Sequence, residues 1–110
     1  MVLKAGSVLS VRTGRPVFVT RAERGVLVFD KSGWQEIRGV RVDSATDSTG
    51  AGDSATAAAV LTLASGGTLA EAALMANLAA SITVQQLGVT GTAAPDELVG
   101  RLGLWLRQGR

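Results

Sequence analysis

The sequence of 110 residues contains no cysteine and no histidine. Without cysteine the chain has no disulfide framework and no thiolate metal site. Without histidine it lacks the commonest acid–base group and metal ligand of proteins. Any acid–base chemistry therefore falls to the nine side chains of Asp and Glu.

Long hydrophobic runs are also missing. The longest extends from Ala72 to Val84 and is interrupted by Asn77, Ser81 and Thr83. It is shorter than the roughly twenty residues that are needed to span a bilayer. No apolar block typical of a signal peptide follows the first residues. We therefore expect a cytoplasmic protein that has no membrane partner.

Aromatic residues make up only 4 % of the chain, and the net charge is +2. The basic residues are scattered and form no block, so we expect no nucleic-acid partner. Apolar residues make up 46 % and charged residues 18 %. This balance is typical of a chain that folds around one core, and the length suits a single small domain.

The order of patterns predicts an α/β fold in which short strands are followed by three helices. The first strand is a continuous apolar run, which is typical of a strand buried on both faces. A Thr-x-x-Glu sequence at Thr68 predicts a capping box, and a proline favours a helix start. The predicted elements are a helix over Leu3–Val11, strands over Val17–Thr20, Val26–Phe29 and Trp34–Val42, and helices over Asp53–Ala64, from Thr68 to about Leu87, and from Pro95.

Two of these helices have almost no charge. The stretches Ala55–Ala64 and Ala72–Val84 are apolar nearly all round, which favours burial on more than one side. If the chain leaves part of them uncovered, an apolar patch and a sheet edge would find a partner. We therefore expect a homo-oligomer.

A glycine-rich turn precedes the first of these apolar helices. Residues Asp47 to Asp53 read Asp-Ser-Thr-Gly-Ala-Gly-Asp. Such a turn presents backbone N–H groups at the positive end of a helix dipole, where phosphate binds. An acid at the end of the turn would repel an anion, but it makes sense as a proton acceptor. The turn therefore indicates phosphoryl transfer.

This turn and the helix after it resemble the second signature of the ribokinase-like (PfkB) carbohydrate kinases. Three further segments resemble the family's strand and turn beside the nucleotide, the helix bordering its adenine pocket and the loop after that helix. Within the family, the sequence is most similar to the heptose-phosphate kinase branch. The three segments are Val17–Gly25, Ala76–Ala80 and Gly88–Gly91.

The resemblance implies a ribokinase-like (Rossmann-like layered) fold, of which residues 1–110 would form a partial domain that corresponds to the C-terminal, nucleotide-binding part. The N-terminal part of such kinases carries most of the sugar-binding residues, and nothing in this sequence corresponds to it. One position departs from the signature, since Ala55 stands where many members have phenylalanine.

The resemblance also implies roles for individual residues in phosphoryl transfer from ATP to a hydroxyl of a sugar or sugar phosphate. Asp53 would be the catalytic base, and Mg²⁺ would accompany the nucleotide. The backbone N–H groups of an anion hole would come from Gly50, Ala51, Gly52 and Asp53. The nucleotide cleft would be lined by Thr20, Gly25 and Asn77, and a monovalent cation such as K⁺ would lie at Asp47 and the Thr49 carbonyl.

Each of these positions has a structural alternative. Asp53 could be a capping acid, Asn77 a hydrogen-bonded polar group of the core, and Asp47 an acid that bonds its own turn. Thr20 and Gly25 could simply end one strand and begin the next. We expect the two tryptophans, Trp34 and Trp105, to be packing residues. Four arginines are expected on a solvated face, although the first could reach a phosphate: Arg21, Arg24, Arg38 and Arg41.

Two functions follow from the missing sugar-binding half. The chain could be the ATP-binding, catalytic-base portion of a carbohydrate kinase. Alternatively, it could be a non-catalytic module that binds nucleotide or a partner without turnover.

Overall fold

The computed structural model describes residues 2–21, 24–42, 51–84 and 94–109. These residues form three strands and four helices. None of the described helices is long and apolar enough to cross a membrane. In chain order the elements are α1 (Val2–Thr13), β1 (Val17–Thr20), β2 (Val26–Asp30), β3 (Gly33–Ile37), α2 (Ala51–Ala64), α3 (Leu69–Thr83) and α4 (Pro95–Gln108).

The strands form an antiparallel sheet in the order β1-β2-β3. Val28 at the centre of β2 is opposite Phe18 on one side and Gln35 on the other. The first four residues of β2 are buried, whereas β1 is half-buried and its last residue is exposed. The prediction that β1 is buried on both faces was therefore wrong. The reason is position, since β1 pairs with only one strand among the described residues and β2 pairs with two.

The two faces of β2 pack against different helices. Val26 and Val28 form a buried cluster with Ala73 of α3. Phe29 points to the opposite face because side chains alternate along a strand, and its fully buried ring lies against Gly6 of α1. The sheet therefore lies between α1 and α3, and this layering is the core of the fold.

The helix α3 is the most deeply buried helix in the described part of the chain. It begins at the predicted capping box, in which Glu71 N–H donates to Thr68 Oγ1 at 3.1 Å and Thr68 N–H donates to Glu71 Oε1 at 2.8 Å. These hydrogen bonds hold the pKa of Glu71 below its ordinary value. Nine residues of α3 are buried, which confirms the predicted burial on more than one side. The predicted extension toward Leu87 lies outside the described residues.

The helix α2 differs from its prediction. Only Ala51 and Ala55 are buried, and the side chains of Val60, Leu61 and Leu63 are exposed. The prediction of burial on more than one side was therefore wrong for α2. A helix sequence without charged residues is compatible with burial, but it does not show that other parts of the same chain bury the helix.

The helix α4 starts at Pro95 as predicted, and Glu97 Oε1 accepts a hydrogen bond from Ala94 N–H at 3.0 Å. It packs against α3 through Arg101, whose Nη1 donates to the Ser81 carbonyl at 3.0 Å. Partial burial lowers the pKa of Arg101, and nearby Glu97 acts in the opposite direction.

Candidate functional site

The N-terminal turn of α2 carries the part of the glycine-rich turn that the structure describes. The helix begins at Ala51, and the buried side chains of Ala51 and Ala55 anchor it. Gly52 and Asp53 face outward and are exposed. The first N–H groups of a helix have no partner within the helix, and they lie at the positive end of its dipole. This turn can therefore bind an anion.

Gly52 is open on the side where a ligand would approach. A Cβ at this position would have no neighbour within 4 Å among the described residues. Packing therefore does not require glycine there, although glycine is a poorer helix former than alanine. A ligand that approaches the backbone closely would explain the glycine.

Asp53 lies in the first turn of α2 with its side chain exposed. An acid at this place is stabilised by the helix dipole, so its position suits a capping acid. The same exposure leaves the carboxylate accessible to a substrate hydroxyl, so the position also suits a catalytic base. Both alternatives from the sequence therefore fit the geometry.

Three predicted site residues lie outside the described residues. They are Gly50 of the anion hole and the two cation ligands, Asp47 and Thr49. Within the ranges that the structure does describe, no group of three or more Asp and Glu side chains could hold a metal ion.

Gly25 has a structural reason to be glycine. Its φ of 102° is in the region that favours glycine. A Cβ there would overlap the Ile37 carbonyl oxygen and lie 2.6 Å from the Gly39 nitrogen. Thr20 is exposed at the end of β1, opposite Val26. Thr20 therefore ends one strand and Gly25 begins the approach to the next, which is the structural alternative given for these two residues.

Asn77 is buried on α3, with 6 % of its surface exposed. Its Nδ2 donates to the Ile37 carbonyl at 3.1 Å and to the Arg38 carbonyl at 2.9 Å. The side chain thus joins α3 to the chain that leaves β3. Because Gly25 also lies against the Ile37 carbonyl, the fold brings two of the three predicted nucleotide residues together.

The four arginines do not all lie on one solvent-exposed face. Arg24 and Arg41 are exposed, as predicted. Arg21 is largely buried and forms an ion pair with Glu36, and its buried Nε has no partner in the described part of the chain. The solvated-face prediction was therefore wrong for Arg21. It was also wrong for Arg38, which is half-buried against α4.

No pattern in the sequence predicts the contact of Arg38 with α4. Its guanidinium carbon lies 3.9 Å from the centre of the Trp105 ring, an attractive cation–π geometry. Trp105 is thus a packing residue, as predicted. Trp34 is not, since it is 52 % exposed on β3. The two residues of the Arg38–Trp105 pair are 67 positions apart, so no local pattern could have paired them.

A depression of about 270 Å³ lies at the turn between β2 and β3, away from the predicted site residues. At its edge, hydrogen bonds from Ser32 lower the pKa of Asp30. These hydrogen bonds stabilise the turn between β2 and β3, so we assign no chemistry to the depression. The depression is lined by Val28, Asp30, Ser32, Gly33, Trp34 and Gln35.

Comparison with known proteins places this geometry in a family. Residues 2–97 match the sequence profile described as pfkB family carbohydrate kinase. The Bifunctional protein HldE of Citrifermentans bemidjiense is 38 % identical over 99 residues, which cover 90 % of this chain and 20 % of that protein. The HldE protein of Geobacter sulfurreducens is 36 % identical over 91 residues, covering 83 % and 18 %. The HldE proteins lie in the heptose-phosphate kinase branch, so that predicted similarity is confirmed.

Solved structures agree on the fold. Ribokinase from Thermotoga maritima superposes with a TM-score of 0.85 at 29 % identity, covering 94 % of this chain and 35 % of that one. Phosphofructokinase-2 from Escherichia coli, solved in complex with potassium, gives a TM-score of 0.78 at 26 % identity, covering 99 % and 34 %. The predicted ribokinase-like α/β fold is confirmed. The chain spans about a fifth of the length of the curated relatives it matches.

Proposed function

Because the chain belongs to the pfkB family of carbohydrate kinases, we propose that residues 1–110 are the ATP-binding, catalytic-base portion of such a kinase. The reaction is phosphoryl transfer from ATP to a hydroxyl of a sugar or sugar phosphate. The observation that carries the proposal is the start of α2, where Gly52 and Asp53 are exposed and a Cβ at Gly52 would contact nothing.

The residues of this turn have separate tasks. The N–H groups of Ala51, Gly52 and Asp53, with that of Gly50, bind the phosphate that is transferred. Fixed donors of this kind stabilise the charge of the transition state, and the loss of one costs on the order of 10²–10³ in rate. The Asp53 carboxylate accepts the proton of the attacking hydroxyl. ATP supplies the phosphoryl group, and Mg²⁺ bound with it neutralises phosphate charge.

The remaining predicted residues act around this centre. Thr20, Gly25 and Asn77 line the nucleotide cleft, in addition to the strand-end and core contacts that the structure gives them. Asp47 and the Thr49 carbonyl hold a monovalent cation such as K⁺. These residues position the nucleotide, whereas Asp53 and the backbone N–H groups of its turn act in the phosphoryl transfer itself.

Binding of MgATP tests the phosphate site through Gly52→Ala. The added methyl group enters open space, so the fold should tolerate it, but it would keep phosphate from the backbone. Loss of a hydrogen bond to a charged group weakens binding by about 10- to 100-fold. Gly100→Ala is the matched control, since Gly100 is also an exposed helical glycine with no neighbour within 4 Å. Equal affinity of the two variants by calorimetry would contradict a phosphate site at Gly52.

The base role of Asp53 has its own test. Asp53→Asn should leave MgATP binding in place, because the anion hole consists of backbone N–H groups. Asp96→Asn is the control, since Asp96 is an exposed acid in the first turn of α4. Turnover with any sugar or sugar phosphate should disappear in Asp53→Asn and persist in Asp96→Asn. Unchanged turnover in Asp53→Asn would remove Asp53 from the base role.

A non-catalytic module is the second candidate, and one observation favours it. The chain covers only 35 % of the Thermotoga maritima ribokinase chain, so most of that enzyme has no counterpart in it. Binding of MgATP without turnover of any sugar would support the module. Turnover by this polypeptide alone would exclude it.

Self-association belongs to the same proposal. Val60, Leu61 and Leu63 are 59 %, 67 % and 39 % exposed on one helix, α2, and exposed apolar patches of this kind mark contact surfaces. We expect a homo-oligomer that Leu61→Lys converts to monomer in light scattering. Val11→Lys is the control, because Val11 is 78 % exposed on α1. A wild-type monomer at all concentrations would contradict the oligomer.

A further inference from the structure

Asn77 uses all of its hydrogen-bond donors within the fold. Its amide nitrogen carries two hydrogens, and it donates to the Ile37 carbonyl at 3.1 Å and to the Arg38 carbonyl at 2.9 Å. The reverse orientation of the amide would bring its own oxygen against these two carbonyl oxygens, which would repel it. The two backbone acceptors therefore fix the orientation of the Asn77 side chain.

The oxygen of the same amide has no partner in the described part of the chain. Asn77 is 6 % exposed, and none of the described residues donates to its Oδ1. A nearly buried oxygen without a donor is costly, and such groups are almost always paired in folded proteins. Because the fold uses both amide hydrogens, Oδ1 is the one group that Asn77 can offer to a ligand, and it is an acceptor.

Neighbours from distant parts of the chain hold both backbone acceptors in place. Trp105 Nε1 of α4 donates to the Arg38 carbonyl at 3.0 Å, so Asn77 and Trp105 share the two lone pairs of one oxygen. In return, Arg38 Nη2 donates to the Trp105 carbonyl at 2.6 Å. The backbone of Gly25 lies against the Ile37 carbonyl, since a Cβ there would overlap its oxygen. The helix α4 is thus connected to Asn77 through a single carbonyl group.

We propose that Asn77 Oδ1 accepts a hydrogen bond from the nucleoside of the bound nucleotide, and that Trp105 is the positioning residue that fixes the orientation of this amide. The inference rests on the proposed function, in which Asn77 lines the nucleotide cleft. It adds the polarity of the contact: because Asn77 can only accept, the nucleoside must supply a neutral N–H or O–H group. Adenosine has such donors in the 6-amino group of its base and in the 2′ and 3′ hydroxyls of its ribose.

Nucleotide analogues that each lack one donor test the contact in the wild-type protein. Calorimetry in the presence of Mg²⁺ compares ATP with purine riboside triphosphate, 2′-deoxy-ATP and 3′-deoxy-ATP. At least one analogue should bind about tenfold more weakly than ATP, because it leaves the Asn77 oxygen without a partner. Equal affinities for all of these nucleotides overturn the proposal. They are the result expected if Asn77 only joins α3 to the chain after β3.

Asn77→Ala shows whether the weaker binding of that analogue comes from this residue. In this variant the analogue should bind as well as ATP does, because the acceptor is gone. Thr83→Ala is the matched control, since Thr83 is also a buried polar residue of α3 and its Oγ1 donates to the Ala79 and Ala80 carbonyls of the same helix. The control should keep the difference seen in wild type. A difference that persists in Asn77→Ala overturns the proposal.

Trp105→Phe tests the positioning role, and it replaces Asn77→Ala if that variant does not fold. Phenylalanine keeps an aromatic ring but cannot donate to the Arg38 carbonyl. The ratio of the affinities for ATP and the weaker analogue should fall below the wild-type ratio. A merely structural role would lower the unfolding midpoint and leave this ratio unchanged, which overturns the role of Trp105. Val99→Ala is the control on the same helix, since Val99 is 72 % exposed.

The affinity of wild type for MgATP separates this inference from the proposed function. If wild type binds MgATP and all the analogues equally, the inference fails and the proposed function stands. If wild type binds none of these nucleotides, both fail.

Discussion

Replacement of Gly25 by alanine isolates the energetic consequence of one close approach between backbones. The substitution adds a single methyl group at a φ of 102°. That group would overlap the Ile37 carbonyl and lie 2.6 Å from the Gly39 nitrogen. Neither neighbour is a flexible side chain, so the strain cannot be relieved by a change of rotamer.

The expected loss in the free energy of unfolding of Gly25→Ala has two contributions. A positive φ costs a residue with a Cβ about 1–2 kcal/mol, and insertion of a methyl group into a packed region costs about 1–3 kcal/mol. The free energy of unfolding should therefore fall by about 2–5 kcal/mol. At about 4 °C per kcal/mol for a domain of this size, the unfolding midpoint falls by roughly 8–20 °C.

Gly14→Ala is the matched control. Gly14 also has a positive φ, of 67°, but a Cβ there would have no neighbour within 4 Å. This variant should lose only the backbone contribution, about 1–2 kcal/mol. Urea unfolding followed by tryptophan fluorescence measures both variants against wild type. Equal losses in the two variants would refute the steric reasoning, and a loss of MgATP affinity without a loss of stability would favour a ligand role for Gly25.

Further predictions concern the α3 cap and the α1–β2 contact. Thr68→Ala removes the capping hydroxyl and should lower the free energy of unfolding by about 1 kcal/mol in urea titration; an unchanged midpoint would contradict the cap. Since the Glu71 pKa is lowered in the folded state, its stabilising contribution is present above the ordinary value of 4.5 and is lost as the pH falls below it. Urea titrations in that pH range should show the stability difference between wild type and Glu71→Gln shrinking, and a constant difference would oppose this. Gly6→Ala should destabilise by about 1–3 kcal/mol because the new methyl meets the Phe29 ring, and Phe29→Leu should relieve part of that penalty in a double-mutant cycle.

The elements that depend on neighbouring residues could be predicted from the sequence. Val26–Phe29 lies within β2, Thr68 and Glu71 form the capping box, and Pro95 starts α4. Each of these follows from side chains a few positions apart. The family signature also places the candidate site at the start of α2, and this assignment stays a prediction.

The features that depend on distant residues could not be predicted. The third strand ends at Ile37 rather than Val42, because Asn77 and α4 bind the backbone beyond it instead of another strand. The exposure of Leu61 depends on which other elements pack against α2. The sequence of α2 alone does not predict this. The hydrogen bond from Gln108 to the Arg41 carbonyl joins residues 67 positions apart and has no local signal.

The separation of these partners has a consequence for folding. Hairpins such as β1–β2 and β2–β3 close over short loops, whereas the bonds of α4 with Arg38 and Arg41 join residues 67 positions apart. Contacts between distant residues pay a larger loop-closure entropy and tend to form late. During synthesis the ribosome must release α4 before these bonds can form. We therefore expect the contacts of α4 with Arg38 and Arg41 to form last, so that a nascent chain that lacks α4 would fold its sheet before these contacts exist.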